Sequence, residues 1–271
     1  MMKSFHLQIA GQTDVGRVRA NNEDAFCNLQ DMGLLLVADG MGGHASGEVA
    51  SKLAIDIIRE YFTEAMAGSR FIGIYDEDLS EDTNRLGSAV RLANKAIFEA
   101  SQSDAQWRGM GTTIVAALIR GNKLSIAHVG DSRIYLIRFG NIEQLTDDHS
   151  VVAEQVKREL ISREEANKSE IKNILTRALG TEAEVEVDME EMNLLNHDIL
   201  LLCSDGLSNM ISDDEILTVV LSDNDPVLTC KKLVNIANDN GGKDNITVVV
   251  AHLVNPGWFA SLIKFFKWSR R

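Results

Sequence analysis

The amino-acid sequence points to a layered α+β fold. Strand-like apolar runs gather toward both ends, helical pairs lie between them, and strict strand–helix–strand alternation is absent. With 271 residues, two prolines and 45% hydrophobic content, the chain has the length for one large domain with a sizeable core.

The elements follow in order. Phe5 to Ala10 alternates apolar and polar residues, the period of a half-buried strand. Leu34 to Ala38 is continuously apolar and reads as a central strand. Ser46 to Ala67 places Val49, Ala50, Leu53, Ile57 and Tyr61 near helical spacing, with Ser46 its expected cap after a glycine-rich break. An acidic connection over 68–82 leads to a second amphipathic helix, Thr83 to Ala100, striped by Leu86, Val90, Ala93, Ile97 and Ala100. Four strands are expected next: Thr112 to Ile119, Leu124 to Val129, Ile134 to Arg138 and Ile142 to Leu145. Gly121-Asn122 and Gly140-Asn141 form turns between them. Residues 150–179 are charged and helical in pattern with weak periodicity, a surface excursion. Val185 to Met189 and Ile199 to Cys203 read as strands, Asp213 to Leu221 and Pro226 to Asn238 as helices, and Ile246 to Leu253 as a closing strand.

Composition narrows the function. A formal charge of −13 argues against non-specific nucleic-acid binding, which needs clustered Lys and Arg. Cysteines 27, 203 and 230 are odd in number and lack CxxC spacing, so a disulfide framework is not expected. The chain opens without a charged-then-apolar leader and holds no bilayer-length apolar run, so the cytoplasm is the expected compartment.

Five acidic motifs carry the chemistry: Asn21-Asn22-Glu23-Asp24, Ala38-Asp39-Gly40-Met41-Gly42-Gly43-His44, Gly130-Asp131-Ser132-Arg133, Ser204-Asp205-Gly206-Leu207 and Lys243-Asp244-Asn245. Three follow apolar runs and the last leads into one. A carboxylate beside a buried strand is costly unless something positive meets it. One such Asp is ordinarily a turn residue; five in similar settings indicate a shared oxygen-rich cation site. Mg²⁺ and Mn²⁺ take oxygen ligands, whereas zinc would want His or Cys clusters, and the six histidines show no HExxH or HxH spacing. Gly40, in a glycine-rich turn, is placed to lend a carbonyl oxygen. Two cations sharing a carboxylate can activate a water and stabilise both oxygens of a phosphoryl transfer. Arg19, four residues before Glu23, has the planar fork that suits a phosphate, with Arg17 as its rival. No GxSxG elbow, GxxxxGK loop or strand-linked GxGxxG is found. Gly109-Met110-Gly111-Thr112-Thr113 opens a strand and reads as close packing near the site.

In this order the motifs resemble the metal-dependent Ser/Thr protein phosphatases of type 2C, the PPM family, in the bacterial form. The resemblance spans about residues 8–253. Besides the motifs above it includes Asp14-Val15-Gly16, Thr146…Asp148-His149-Ser150 and Thr176-Arg177-Ala178-Leu179-Gly180. It implies a four-layer α-β-β-α sandwich of two antiparallel sheets flanked by helices, and two Mn²⁺ or Mg²⁺ ions. By position Asp39 would bridge the ions, the Gly40 carbonyl would bind one, and Asp205 and Asp244 the other. Glu23 would act through a water, with Asp24 and Asn245 in support. Asp131 with Asp205 would form a third metal position. Arg19 would hold the phosphate, and residues 150–179 would be a flap. The implied activity is hydrolysis of phosphoserine and phosphothreonine by a metal-bridging hydroxide, opposing a bacterial Ser/Thr kinase. The alternatives are a catalytically silent phosphoprotein-binding module and a hydrolase of small phosphates.

One position departs from the animal members, which place a His two residues after the bridging Asp; here it is Met41, which cannot donate a proton. Metal-bound water, His44 and His149 are the candidate donors. After the 1–254 domain comes a basic C-terminal tail, 255–271. Residues 258–271 hold four basic residues and no acid, leaving 23 bases against 40 acids in residues 1–257. On a helical wheel Lys264, Lys267 and Arg271 oppose Trp258, Phe259, Leu262, Phe265 and Phe266, the pattern of membrane-surface or protein docking. Packing back onto the acidic domain is the plainer expectation.

Overall fold

The computed structural model describes residues 5–42, 46–63, 71–162, 165–166, 169 and 171–254. Two antiparallel sheets stack face to face. The first runs, in spatial order, β1 (His6–Asp14), β11 (Ile246–Val254), β10 (Ile199–Cys203), β7 (Arg133–Arg138) and β8 (Asn141–Gln144). The second runs β2 (Asp24–Leu29), β3 (Leu34–Met41), β5 (Ile114–Arg120), β6 (Lys123–Val129) and β9 (Asp188–Asn193), with the short β4 (Gly111–Thr112) paired to the end of β3.

The continuous apolar runs exist because both faces of each sheet are covered. In β3, Leu35 and Val37 point between the sheets while Leu34, Leu36 and Ala38 face helices. The same alternation divides β11: Val249, Ala251 and Leu253 face the other sheet, and Ile246, Val248 and Val250 face away. Three apolar layers result. The middle layer lies between sheets. The second sheet's outer face carries α1 (Ser46–Thr63) and α2 (Glu81–Ser103), and that of the first carries α5 (Asp213–Leu221) and α6 (Pro226–Asp239). Each fully buried Leu or Ile contributes about 2 kcal/mol relative to exposure. The order α-β-β-α is the expected four-layer sandwich.

Helix starts follow their local chemistry. Ser212 and Glu215 close a reciprocal capping box on α5, and Asp225 caps α6 ahead of Pro226. Ser46, expected as a cap, is instead the first helical residue of α1.

Three expectations change. The strand expected over Val185 to Met189 lies at Asp188–Asn193, because β9 is an edge strand whose place is set by pairing with β6 rather than by its own apolar pattern. The strand β2 was not anticipated, its half-buried edge residues alternating only weakly. The helical reading of 150–179 holds, among the described residues, for α3 (Val151–Lys157) and again at residues 165–166; Glu159, between them, takes a left-handed φ of 58° that ends the first turn. Residues 64–67 of the first expected helix, and the tail, lie outside the described residues. All three cysteines are free thiols. No helix among the described residues is long and apolar enough to cross a membrane.

Candidate metal centre

The sheet register brings the acidic motifs to one pole of the sandwich. Asp24 opens β2 directly opposite Asp39 on β3. Asp131 follows β6, Asp205 begins the one-turn helix α4 (Asp205–Ser208) after β10, and Asp244 precedes β11. Like charges facing each other across a ladder destabilise it, so this convergence has a cost that the fold alone does not offset.

Electrostatics report the crowding. Burial first, then the fields of Asp24, Asp205, Asp131 and Asp244, hold the Asp39 carboxyl well above the usual carboxylate range. Burial pushes Asp24 up to about 7, with Asp205 and Asp244 adding to the rise. It pushes Asp131 to about 8, helped by Asp205 and Asp148 and opposed by Arg133. Asp205 reaches about 6, raised by burial and Asp244 and lowered by a hydrogen bond shared with Asp39. Burial also raises Glu23, against the pull of Arg19. Among the described residues, one oxygen each of Asp24 and Asp205 is buried with no hydrogen-bond partner.

A frame of neutral donors holds the acids in place. The hydroxyls of Ser204 and Thr247 both donate to Asp24 Oδ2, at 2.8 and 2.7 Å. The Asp39 amide donates to Thr113 Oγ1 at 3.0 Å, while its carbonyl accepts from Thr113 N at 2.8 Å and Thr112 Oγ1 at 2.9 Å. The predicted close packing by the Gly109-to-Thr113 stretch is thus a clamp on Asp39. Asn245 Oδ1 accepts from the Glu23 amide, and its Nδ2 donates to the carbonyls of Val15 and Asn21. Gly16 sits at φ +82°, and a Cβ there would lie 2.2 Å from the Asp244 carbonyl. Gly206 is equally constrained: a Cβ would lie 1.9 Å from the Asn245 carbonyl. The glycines of these motifs let the loops bearing Asp205 and Asp244 touch.

Of the two arginines, Arg19 reaches the cluster, donating from Nη2 to Asp244 Oδ2 at 2.7 Å. Arg17 is exposed and meets the Gly242 carbonyl through its backbone amide. Gly40 is buried in β3 directly after Asp39, hydrogen-bonded through its amide to the Glu23 carbonyl. His44 lies outside the described residues. His149 has both ring nitrogens engaged: Nδ1 accepts from the Gly130 amide and Nε2 meets Asp188 at 3.2 Å, with the ring stacked on His128 at 4.7 Å. That is a structural role.

Carboxylates with raised proton affinity, two buried oxygens lacking partners and an arginine confined to the edge form a donor set that fits hard divalent cations.

A family model for protein phosphatase 2C matches residues 15–246. The chain belongs to the protein phosphatase 2C family. It is 39% identical to the serine/threonine phosphatase stp of Listeria welshimeri over 242 residues, covering 88% of this chain and 93% of that one. The crystal structure of the Mycobacterium tuberculosis serine/threonine phosphatase PstP/Ppp superposes with a TM-score of 0.82 at 39% identity, over 92% of this chain and 99% of that one. A PstP catalytic domain in complex with two manganese ions gives a TM-score of 0.79 at 39% identity, over 92% and 98% of the two chains. As a member of this family the chain is a protein phosphatase, and its sandwich is the family's fold.

Sequence reasoning missed Thr247, Asn209 and Lys172. Asn209 donates from Nδ2 to Asp205 Oδ2 at 3.0 Å and accepts from Lys172 Nζ at 2.9 Å. The one available signal was Asn209 four residues after Asp205, one helical turn on.

Proposed function

We propose that this phosphatase hydrolyses phosphoserine and phosphothreonine in proteins, opposing a bacterial Ser/Thr kinase. The observation that carries the reading is the gathering of carboxylates around Asp39, with Arg19 at its edge. Glu23, Asp39, the Gly40 carbonyl, Asp205 and Asp244 would hold two Mn²⁺ or Mg²⁺ ions, a number that the two manganese ions of the PstP complex support, and Asp131 with Asp205 would complete a third position. When bound, such ions supply Lewis acidity and make water nucleophilic near neutral pH.

The chain's own groups do the rest. Ser204 and Thr247 orient Asp24, which backs Asp39 across the ladder. Asn245 ties the Glu23 segment to the Asp244 loop. Arg19 exchanges its partner Asp244 for phosphoryl oxygens and fixes them for in-line attack. Met41 donates no proton, so the leaving alkoxide takes one from water.

Hydrolysis of para-nitrophenyl phosphate with EDTA, Mg²⁺ or Mn²⁺ tests the reading. Turnover with added metal and not with EDTA is expected. Folded protein that turns over with neither metal would favour a silent phosphoprotein-binding module of the same fold. Faster turnover of nucleotides than of phosphopeptides would move the assignment to small phosphates.

We further propose that residues 258–271 hold the enzyme against the cytoplasmic face of the inner membrane, their basic face on anionic headgroups and their aromatic face in the interface. Truncation after Asn255 tests it. Unchanged liposome association would remove the membrane role and leave packing or protein docking.

A further inference from the structure

Phe139 breaks the rule of its own turn. Arg138 pairs with Asn141 across the β7–β8 hairpin, so Phe139 and Gly140 make a two-residue loop, and both take a left-handed φ, 52° and 77°. Such a turn favours Asn-Gly, because most side chains are strained at positive φ and Asn tolerates it best. Phe in the first position is strained and gains no burial: it is 84% exposed. A local rule broken without compensation inside the domain points to a function outside it.

The hairpin tip lies at the end of the sandwich far from the acids. Ile137 pairs with Ile199, and Ile199 with His252, so Phe139 stands level with the last residues of β11. The loop between β9 and β10 shares that end, since the His197 amide donates to the Leu253 carbonyl at 2.9 Å. Arg138 fastens this loop, donating from Nε and Nη2 to Asp198 at 2.9 and 2.6 Å, and Asp198 Oδ2 accepts from the Leu195 amide at 2.7 Å. The Leu195 side chain is left exposed on that rigid seat. The α5–α6 corner is the third connection here. Asn224, Asp225 and Pro226 line one hollow with His6 and Gln8, and His6 pairs with Val254. Leu221, Val227 and Leu228 flank the corner and are exposed.

Three separate connections thus hold large apolar side chains in water at the end from which residues 255–271 continue. Side chains on separate loop tips do not form the single packed patch that a folded partner fills, whereas a bilayer interface takes each one independently. Charge permits an anionic surface. Asp198 is closed by Arg138 and Asp223 by Lys232; Asp31 and Asp225 remain, against four bases in residues 258–271.

We propose that this end of the domain is itself a contact surface for an anionic lipid bilayer, with Phe139 its leading wedge and Leu195, Leu221, Val227 and Leu228 beside it. This rests on the membrane reading of residues 258–271 and deepens it. The tail supplies the charge, and the domain supplies a second, apolar contact that stops it swinging on a tether.

The experiment measures partitioning of full-length wild type, Phe139→Asn and Phe139→Trp onto vesicles of phosphatidylglycerol mixed with phosphatidylcholine, with a thermal melt of each protein in vesicle-free buffer. Asn suits the turn, so the Phe139→Asn protein keeps its fold and melts at or above the wild-type temperature. Loss of the buried ring weakens its partitioning about tenfold or more, and para-nitrophenyl phosphate turnover without vesicles is unchanged. Phe139→Trp partitions as tightly as wild type or more so, because an interfacial aromatic is kept. Equal partitioning of Phe139→Asn and a vesicle-binding wild type overturns this proposal alone. So does a lower melting temperature in Phe139→Asn, which marks a ring already covered by the chain's own tail. Wild type that binds no vesicles overturns the membrane reading of the tail, and this proposal with it.

Discussion

Asp39 has its backbone clamped by Thr112 and Thr113 and its carboxyl crowded by four others. Replacement with Ala removes the group at the centre of that cluster. Asp39→Ala and Asp205→Ala should each lower para-nitrophenyl phosphate turnover by at least about a thousandfold, through lost cation binding. Near-normal rates in both would end the assignment. Arg19→Ala should mainly raise KM, because it removes a phosphate donor and no metal ligand. The raised carboxyls also predict a pH effect on EDTA-treated protein. Folded Asp205, Asp24 and Asp131 keep protons up to about 6, 7 and 8, whereas unfolded Asp loses them near 4. The folded state therefore binds more protons across this window, and stability falls as pH rises from about 4 to 8. Thermal melts should show that decline, Asp131→Asn should flatten its upper part, and saturating Mn²⁺ should reverse it. The acids were legible because each sits in a short polar motif, three of the five bearing glycine. Thr247 and Lys172 were not, since their partners Asp24 and Asn209 are distant in sequence and no local pattern marks such a pair.

At the scale of elements, the tightest joint is between α4 and the start of β11. Gly206→Ala would force a methyl against the Asn245 carbonyl, a backbone atom that cannot swing aside. Overpacking of this kind costs about 1–3 kcal/mol, a fall in Tm on the order of 5 °C. It should also weaken Mn²⁺ binding, since Asp205 and Asp244 flank the joint. A melt matching wild type would show that the two loops have room to part. The strands β3, β10 and β11 were plain in the sequence because burial on both faces leaves few polar residues to interrupt them. The edge strands β2 and β9 were obscure for the opposite reason. In β9, Asp188 pairs with Arg177 and Glu191 with Lys123, so charge partners rather than an apolar stripe fix its place. In the excursion after α3, charged residues gave a helical pattern with little burial behind it, and propensity without burial is a weak guide.

For the whole molecule, the pattern of elements was enough to anticipate a layered α+β fold and the family resemblance to anticipate four layers, while the pairing order of strands was not legible. Spatial neighbours such as β1 and β11 lie at opposite ends of the sequence. Pairing β11 with β1 also gives the sandwich two distinct poles. Asp244 precedes the strand's first residue, and Val254, at its other end, pairs with His6. Vesicles containing phosphatidylglycerol should pellet the full chain but not the chain truncated after Asn255, with equal turnover of para-nitrophenyl phosphate in both; equal pelleting would exclude the tail as an anchor. A strand of nine residues spans roughly 25–30 Å. Held by the end where β11 runs out, the molecule would stand on its strands like a post, with its mouth at the top. Phosphate groups lying flat against the supporting surface would be beyond its reach, and those carried on arms that extend that far outward would be its natural prey.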